Sequence, residues 1–345
     1  MKRLLLFVIL VLVVCAAGAA WFYVGIDRPF KGYEGPEQFV EIPQGSGSAA
    51  IARRLAEAGV VKDPATFRLA LWATGQGRHL QAGEYRFDLP VSARQVANKI
   101  GRGEVYVRPI TFPEGLTIKQ MAAIYEERGF GTAKEFIVAS KNVELIQAID
   151  PVAKDLEGYL FPDTYMLPRH ATAAQLVGRM VASFIKVLTP ELIDQASANG
   201  LNVRQLVTLA SIVEKETGNP DERPLVAAVY ANRLRIGMGL QCDPTVIYAL
   251  DRAGRYTGNL TREDLQFDSP YNTYRFAGLP PGPIASPGRA SLQAAANPAA
   301  VSYLYCVSRN DGSHAFATTL EEHNRNVQQY QVKYFRDVRA SRKRP

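Results

Sequence analysis

Val40-Glu41-Ile42-Pro43-Gln44-Gly45 recurs 70 residues later as Ile110-Thr111-Phe112-Pro113-Glu114-Gly115. Apolar and polar side chains alternate in each copy, as on a half-buried strand. The Pro-x-Gly that follows predicts a turn. Apolar residues then return at helical spacing: Ile51, Leu55 and Ala58 before Gly59 in the first copy, and Met121, Ala122 and Tyr125 before Gly129 in the second. A second helix is expected around Phe67-Arg68-Leu69 and around Phe136-Ile137-Val138. Two further runs look alike, Gly83-Glu84-Tyr85-Arg86-Phe87 and Gly158-Tyr159-Leu160-Phe161. Two copies of strand–helix–helix–strand, over 40–103 and 110–180, point to duplicated small α+β units. A solenoid would need at least three repeats.

Toward the N-terminus, Leu4 to Ile26 carry no charge, about the length that crosses a bilayer core. Lys2 and Arg3 precede them, so the positive-inside rule keeps residues 1–3 in the cytoplasm and sends the rest outside the inner membrane. A cleaved signal peptide is the alternative, because Ala17-Gly18-Ala19 resembles a cleavage site. The apolar stretch nevertheless runs on through Trp21, Phe22, Tyr23 and Val24, longer than a signal core. A lipoprotein would need a small residue before Cys15, where Val14 stands. The expectation is an uncleaved, single-pass transmembrane anchor over 4–26 and a Gly/Pro-bearing linker over 27–36. The first copy, taken as 37–105, resembles a LysM module in its turn followed by Ile51-Ala52-Arg53-Arg54. That resemblance implies a small glycan-binding domain, and a plain spacer is the competing reading.

A chain of 345 residues with 47% hydrophobic content fits a globular protein of two or three domains with one membrane segment. The four histidines, His79, His170, His314 and His323, show no metal-ligand spacing, and no Cys-x-x-Cys occurs. Neither a metal nor another cofactor is expected, and nothing points to nucleic acid. Cys242 and Cys306 allow one disulfide in an oxidising compartment but make no framework. Part of the net charge of +7 gathers at Arg336, Arg339, Arg342, Lys343 and Arg344. Such a tail suits anionic lipid or wall polymer, or is simply a solvated end.

Beyond the repeat, Leu206–Thr217 reads LVTLASIVEKET, a helix that Asn202 can cap and Gly218-Asn219-Pro220 stops. Glu214 and Glu216 are two residues apart, roughly 200° on a helix, so they cannot share one site. Counting back from Glu216 meets Val213, Ile212 and Leu209; counting back from Glu214 meets Ser211, Ala210 and Val207. Glu216 therefore ends the more apolar stripe, in a last turn whose dipole disfavours negative charge. Both effects raise a carboxyl's pKa and suit a general acid. A solvated helix end is the bland alternative. A helix over Glu222–Ile236 follows, with Asp221 placed to cap it and Pro224 in its first turn. Next come Gln241-Cys242-Asp243-Pro244-Thr245-Val246 and a loop-rich segment holding Tyr271-Asn272-Thr273-Tyr274 and a Pro/Gly run over 278–288. That run makes a stiff, extended wall, and alternating rings and amides beside it are what sugar recognition uses. Tyr303–Val307 reads as a buried strand and Thr319–Phe335 as a closing helix.

These stretches together resemble the MltG (YceG-like) family of endolytic murein transglycosylases. The resemblance covers nearly the whole chain and rests on Leu209–Thr217 (LASIVEKET), Asn232–Gly237 (NRLRIG), Leu240–Tyr248 (LQCDPTVIY), Tyr271–Tyr274 (YNTY) and Gly278–Gly288. It implies an α+β protein with an N-terminal transmembrane helix, a LysM-like module, a second repeat over 106–200 in the catalytic region, and a mixed α+β catalytic core over 201–345. It places the catalytic glutamate on Glu216 and the substrate-binding residues on Gln241, Asp243, Tyr271, Asn272, Thr273 and Tyr274. The family often carries Ser or Thr where this chain has Cys242. The implied enzyme is a lyase of cell wall biogenesis that cuts the β-1,4 bond between N-acetylmuramic acid and N-acetylglucosamine. It leaves 1,6-anhydro ends, with glycan strands, the membrane and a peptidoglycan synthase as partners. One acid suffices for that chemistry, leaving Glu214 free to pair with a basic residue. The alternatives are a non-catalytic peptidoglycan-binding scaffold, and a hydrolase using Glu216 with Asp163 or Asp243.

Overall fold

A computed structural model describes residues 2–336. Of the basic tail only Arg336 falls inside that range; Arg339, Arg342, Lys343 and Arg344 lie outside the described residues. The chain divides into two compact units, Met1–Arg108 and Pro109–Pro345.

The first unit opens with helix α1 (Lys2–Asp27). Its Ile9–Asp27 portion has a mean hydropathy of 2.4 and is long and apolar enough to cross a membrane, by length and composition. Leu10, Leu12, Val14 and Val24 on it are exposed, whereas Ile26 is fully buried. Asp27 Oδ1 meets Arg94 Nε at 2.6 Å, and the Arg94 guanidinium lies 4.8 Å from the Tyr23 ring centroid. Then follow β1 (Gln38–Ile42), α2 (Ser48–Glu57), α3 (Pro64–Thr74), β2 (Gly83–Phe87) and α4 (Ala93–Gly101). The strands pair antiparallel, from Gln38↔Phe87 to Ile42↔Gly83. Period-2 alternation puts Val40, Ile42, Tyr85 and Phe87 on one face, where they pack with Ile51 and Leu55 of α2, Phe67 of α3, and Val96 and Ile100 of α4.

The second unit repeats that order: β3 (Arg108–Thr111), α5 (Ile118–Glu127), α6 (Ala133–Ala139), β4 (Thr164–Leu167) and α7 (Ala173–Val187). β3 and β4 form a two-stranded sheet. Helices α8 (Pro190–Ala198), α9 (Val203–Glu216), α10 (Arg223–Arg235), α11 (Asp243–Arg252) and α12 (Arg289–Ala296) come next. The hairpin β5 (Tyr305–Ser308)–β6 (His314–Ala317) and α13 (Leu320–Val327) follow, and α13 runs into a wider π-type turn at Gln328–Lys333. One apolar core joins β3 and helices α5 to α12, with Tyr159, Phe184, Leu206 and Ile212 among its members. The repeated Ser/Thr/Asn-x-x-Gln/Glu spacing explains many helix starts: Ser92, Thr117, Thr132, Thr172, Asn202 and Thr319 each form a capping box.

Several readings need correction. Each copy carries a closing helix, α4 or α7, beyond the expected four elements. Gly158-Tyr159-Leu160-Phe161 is a turn, and the strand begins only at Thr164. Gly158 has φ +85°, and a Cβ there would sit 2.4 Å from Pro283 Cβ, so this segment bends into the core and cannot extend as a ladder. The residue after Cys242 starts a helix, α11, so the loop-rich segment begins only beyond Arg252. Asp221 does not cap α10; the Asn219 side chain accepts from Asp221 N at 3.1 Å to close a 3-10 turn first. The strand at Tyr305–Ser308 is half-buried at all four residues rather than buried, in a sheet of only two strands.

Candidate functional site

Helix α9 is buried along its whole middle, from Leu206 to Val213, so both stripes read from the sequence face protein. Its two acids part at the C-terminal end. Glu214 turns inward: its side chain is 6% exposed and meets Arg223 Nη2 at 3.2 Å, and its Oε2 accepts from Gly288 N at 2.9 Å. Arg223 also reaches Glu114 at 3.4 Å. Glu216 lies half-buried on another side, and its Oε2 accepts from the Cys242 thiol at 3.4 Å. Burial raises the Glu216 pKa above the ordinary carboxylate range. The Cys242 thiol, the Tyr230 phenol and the His314 imidazole pull it back down, and the Asp243 charge pushes it up.

The run from Gln241 to Thr245 reaches the site because it is stitched to the Tyr271–Tyr274 loop. Gln241 N donates to Thr273 O at 3.2 Å, and Cys242 N donates to Thr273 Oγ1 at 3.0 Å. The Thr245 and Thr273 hydroxyls meet at 2.9 Å. Gln241 takes a left-handed φ of +49°, which costs a non-glycine residue about 1 kcal/mol and leaves its side chain exposed. Tyr274 Oη donates to Asp243 Oδ1 at 2.6 Å, and burial together with that bond raises its pKa.

The other two loop residues face elsewhere. Asn272 is fully buried, its Nδ2 donating to Leu265 O at 3.0 Å and Phe267 O at 2.8 Å, so its amide shapes the loop. Tyr271 packs on Tyr248 at 5.0 Å between ring centroids, with Arg252 5.6 Å from each ring. The structure thus groups Cys242, Asp243 and Tyr274 with Glu216, and sets Tyr271 on a separate cluster around Tyr248 and Glu157. Asp163, the other candidate second acid, sits on the turn before β4, its Oδ1 accepting from Thr164 N at 2.7 Å.

The Pro/Gly run is an extended wall pinned at several points. Gly115 N donates to Ser286 O and Ser286 N to Leu116 O, both at 2.8 Å. Ile284 N donates to Ser211 Oγ of α9 at 3.0 Å, and Arg204 Nε donates to Pro281 O at 2.8 Å. The Pro-x-Gly turn of the second copy, with Gly115 at φ +76°, therefore holds the wall that passes Glu214.

The profile of the YceG-like family matches residues 40–329. The chain belongs to the YceG-like family. A relative from Bacillus subtilis (strain 168), named endolytic murein transglycosylase, is 33% identical over 310 residues, 84% of this chain and 84% of the relative. A protein of the same name from Streptococcus pneumoniae serotype 2 (strain D39 / NCTC 7466) is 32% identical over 84% of this chain and 58% of its own length. The crystal structure of a yceG-like protein from Listeria monocytogenes matches with a TM-score of 0.56 at 31% identity, covering 84% of this chain and 98% of that one.

Other residues around Glu216 in this YceG-like chain carried no signal in the sequence. His314 on β6 is held by Glu222, whose Oε2 lies 2.7 Å from Nδ1 and whose Oε1 accepts from His314 N at 2.9 Å. Tyr230 of α10 is buried, and the Cys306 thiol on β5 has its pKa raised first by burial and then by the nearby Glu216 charge. Cys242 and Cys306 are both free thiols. Within the NRLRIG run, Asn232 Nδ2 donates to Val301 O at 2.8 Å and Arg233 Nη1 to Leu240 O at 2.6 Å. These side chains tie α10 to the segments at Leu240 and Val301. Among the described residues, no three of His, Cys, Asp and Glu cluster in a way that could hold a metal ion.

Proposed function

We propose that this protein is a membrane-anchored lytic transglycosylase that cuts peptidoglycan glycan strands, with Glu216 as its general acid and base. The observation that carries the reading is Glu216 itself, a desolvated carboxyl with a raised pKa and the Asp243 charge nearby, Asp243 being bonded in turn by Tyr274. The names of the relatives supply the reaction class, murein transglycosylation.

Glu216 first delivers its proton to the glycosidic oxygen between N-acetylmuramic acid and N-acetylglucosamine as the C1–O bond breaks. It then takes the proton of the 6-hydroxyl as that oxygen closes on C1, leaving a 1,6-anhydro end. No water is consumed, and the intramolecular attack has a large entropic advantage. Gln241, Asp243 and Tyr274 are the groups we assign to hold the sugar; Tyr271 would meet a more distant part of the strand. Asn272 and Thr273 act by shaping the loop that presents Tyr274. The apolar α1, by our reading, holds the fold on the outer side of the cytoplasmic membrane, near new strands and a synthase that makes them. Cutting there would end their elongation.

Full-length protein in detergent, incubated with purified sacculi and with uncrosslinked nascent strands, tests this by mass analysis of products. Internal cuts with anhydro ends are expected. Reducing ends would instead favour a hydrolase in which Asp243, close enough to raise the Glu216 pKa, activates water. Binding without cleavage would leave a scaffold.

A further inference from the structure

The Glu216 carboxyl is not loose at the end of its helix. Its Oε2 accepts from Cys242 Sγ at 3.4 Å, and Cys242 is itself clamped. Its N–H donates to Thr273 Oγ1 at 3.0 Å, and its carbonyl accepts from Thr245 Oγ1 at 2.7 Å. The two threonine hydroxyls meet at 2.9 Å. Cys242, Thr245 and Thr273 are 1%, 0% and 2% exposed, so the thiol's position is set by a closed, dry circuit that joins α11 to the Tyr271–Tyr274 loop. Wet, mobile partners could not aim a donor in this way.

We propose that Cys242 is a positioning residue for Glu216: its S–H, donating to Oε2, biases the carboxyl proton toward Oε1, the oxygen assigned to the scissile bond. This rests on Glu216 being the general acid. The Tyr230 phenol is a second hydrogen-bonding neighbour of the carboxyl. A thiol in this place stays protonated, because burial pushes its pKa well above the usual thiol range, and it is then a donor toward a carboxyl acceptor. The Oε1 proton passes to the glycosidic oxygen as the C1–O bond breaks. Oε2 keeps its bond from sulfur in the carboxylate, and the 6-hydroxyl proton returns to Oε1 as the new O–C1 bond forms. Sulfur neither gains nor loses a proton in the cycle. The bond is weak, so it orients the carboxyl without holding it ionised, which a stronger donor would do.

The pH–rate profile of anhydro-end formation reads this out. The groups facing Glu216 are Tyr230 of α10, Cys242 and Asp243 at the start of α11, Tyr274 of the loop, Cys306 of β5 and His314 of β6. Removing the thiol takes away one of the contacts that lower the Glu216 pKa, so the alkaline limb of Cys242→Ala should move to higher pH. Its kcat should fall roughly tenfold with KM unchanged, since the buried thiol does not meet substrate. Cys242→Ser should restore kcat to within a few-fold of the parent and bring the limb back down, below the parent's. Should Cys242→Ala misfold, the near-isosteric serine variant carries the test through its lowered limb alone. Parental profiles in both variants overturn the proposal, as does a loss in Cys242→Ala that serine does not reverse, which would mark a packing role. Glu216→Gln is the control. If it is inactive while the cysteine variants are silent, only the positioning role fails; if it remains active, the acid assignment and this proposal fall together.

Discussion

Glu214 and Glu216 offer a pair of substitutions whose effects on stability and on rate should separate. Glu214→Ala removes a side chain that is 6% exposed and bonded to Arg223, itself 11% exposed, and it leaves Gly288 N without its acceptor. Breaking a buried pair from one side costs about 3–5 kcal/mol. Arg223 keeps Glu114 at 3.4 Å, but that carboxyl is 45% exposed, so the low end, about 3 kcal/mol, applies. For a unit of this size that is roughly 6–12 °C in Tm. Glu214→Gln can still accept from Gly288, and its loss should be about 1–2 kcal/mol. This is more than an exposed acid would give. Glu216→Gln goes the other way. Its folded pKa is raised, so the native state holds a proton that the unfolded chain has lost, and stability drains as pH rises above about 4.5. A neutral amide removes that drain, and Tm at neutral pH should be unchanged or higher. The rate should fall about 10²- to 10⁴-fold, because an amide cannot deliver a proton. Melting curves and anhydro-end release from sacculi, measured in parallel, decide the matter. A folded Glu214→Gln protein that cannot cleave, or Glu216→Gln cleaving normally, would refute the assignment of the two faces.

Four further substitutions have outcomes set by the geometry. Glu157 is buried, bonded from Ile118 N at 3.0 Å and Tyr248 Oη at 3.3 Å, and burial pushes its pKa up to about 8. Stability tied to it is complete below about pH 4.5 and is lost as pH climbs through about 8, on the order of 5 kcal/mol in all; Glu157→Gln should flatten the Tm–pH curve over that window, and an unchanged slope would count against it. Gly158→Ala forces a side chain into φ +85° and a 2.4 Å contact with Pro283, so denaturant titration should show a loss of about 2–4 kcal/mol. Asp243→Asn removes a charge that raises the Glu216 pKa, and the alkaline limb of the rate profile should move to lower pH, while Tyr274→Phe should leave an unpaired Asp243 and a higher KM.

Much of the local order in this chain is written in neighbouring residues. Alternation at Val40–Ile42, the Pro-x-Gly turns and the helix spacing of Ile51 and Leu55 arise from backbone sterics and a two-sided environment, and they need no distant partner. Capping residues such as Asn202 act within three positions, and so they too were legible. The separation of Glu214 from Glu216 follows from helix pitch alone.

Partnership across the chain was decided only by packing. Tyr159 and Leu160 look strand-like until Gly158 is seen against Pro283, where a close approach forces a turn. Asn272 reads as a sugar ligand, but its amide is consumed by Leu265 and Phe267 once the loop folds back on itself. Tyr230, Cys242, Tyr274 and His314 come to Glu216 from separate segments, and no periodicity links their positions. Desolvation, which raises the Glu216 pKa, is a property of everything packed around the carboxyl, so a one-dimensional pattern can name the acid but cannot set its strength.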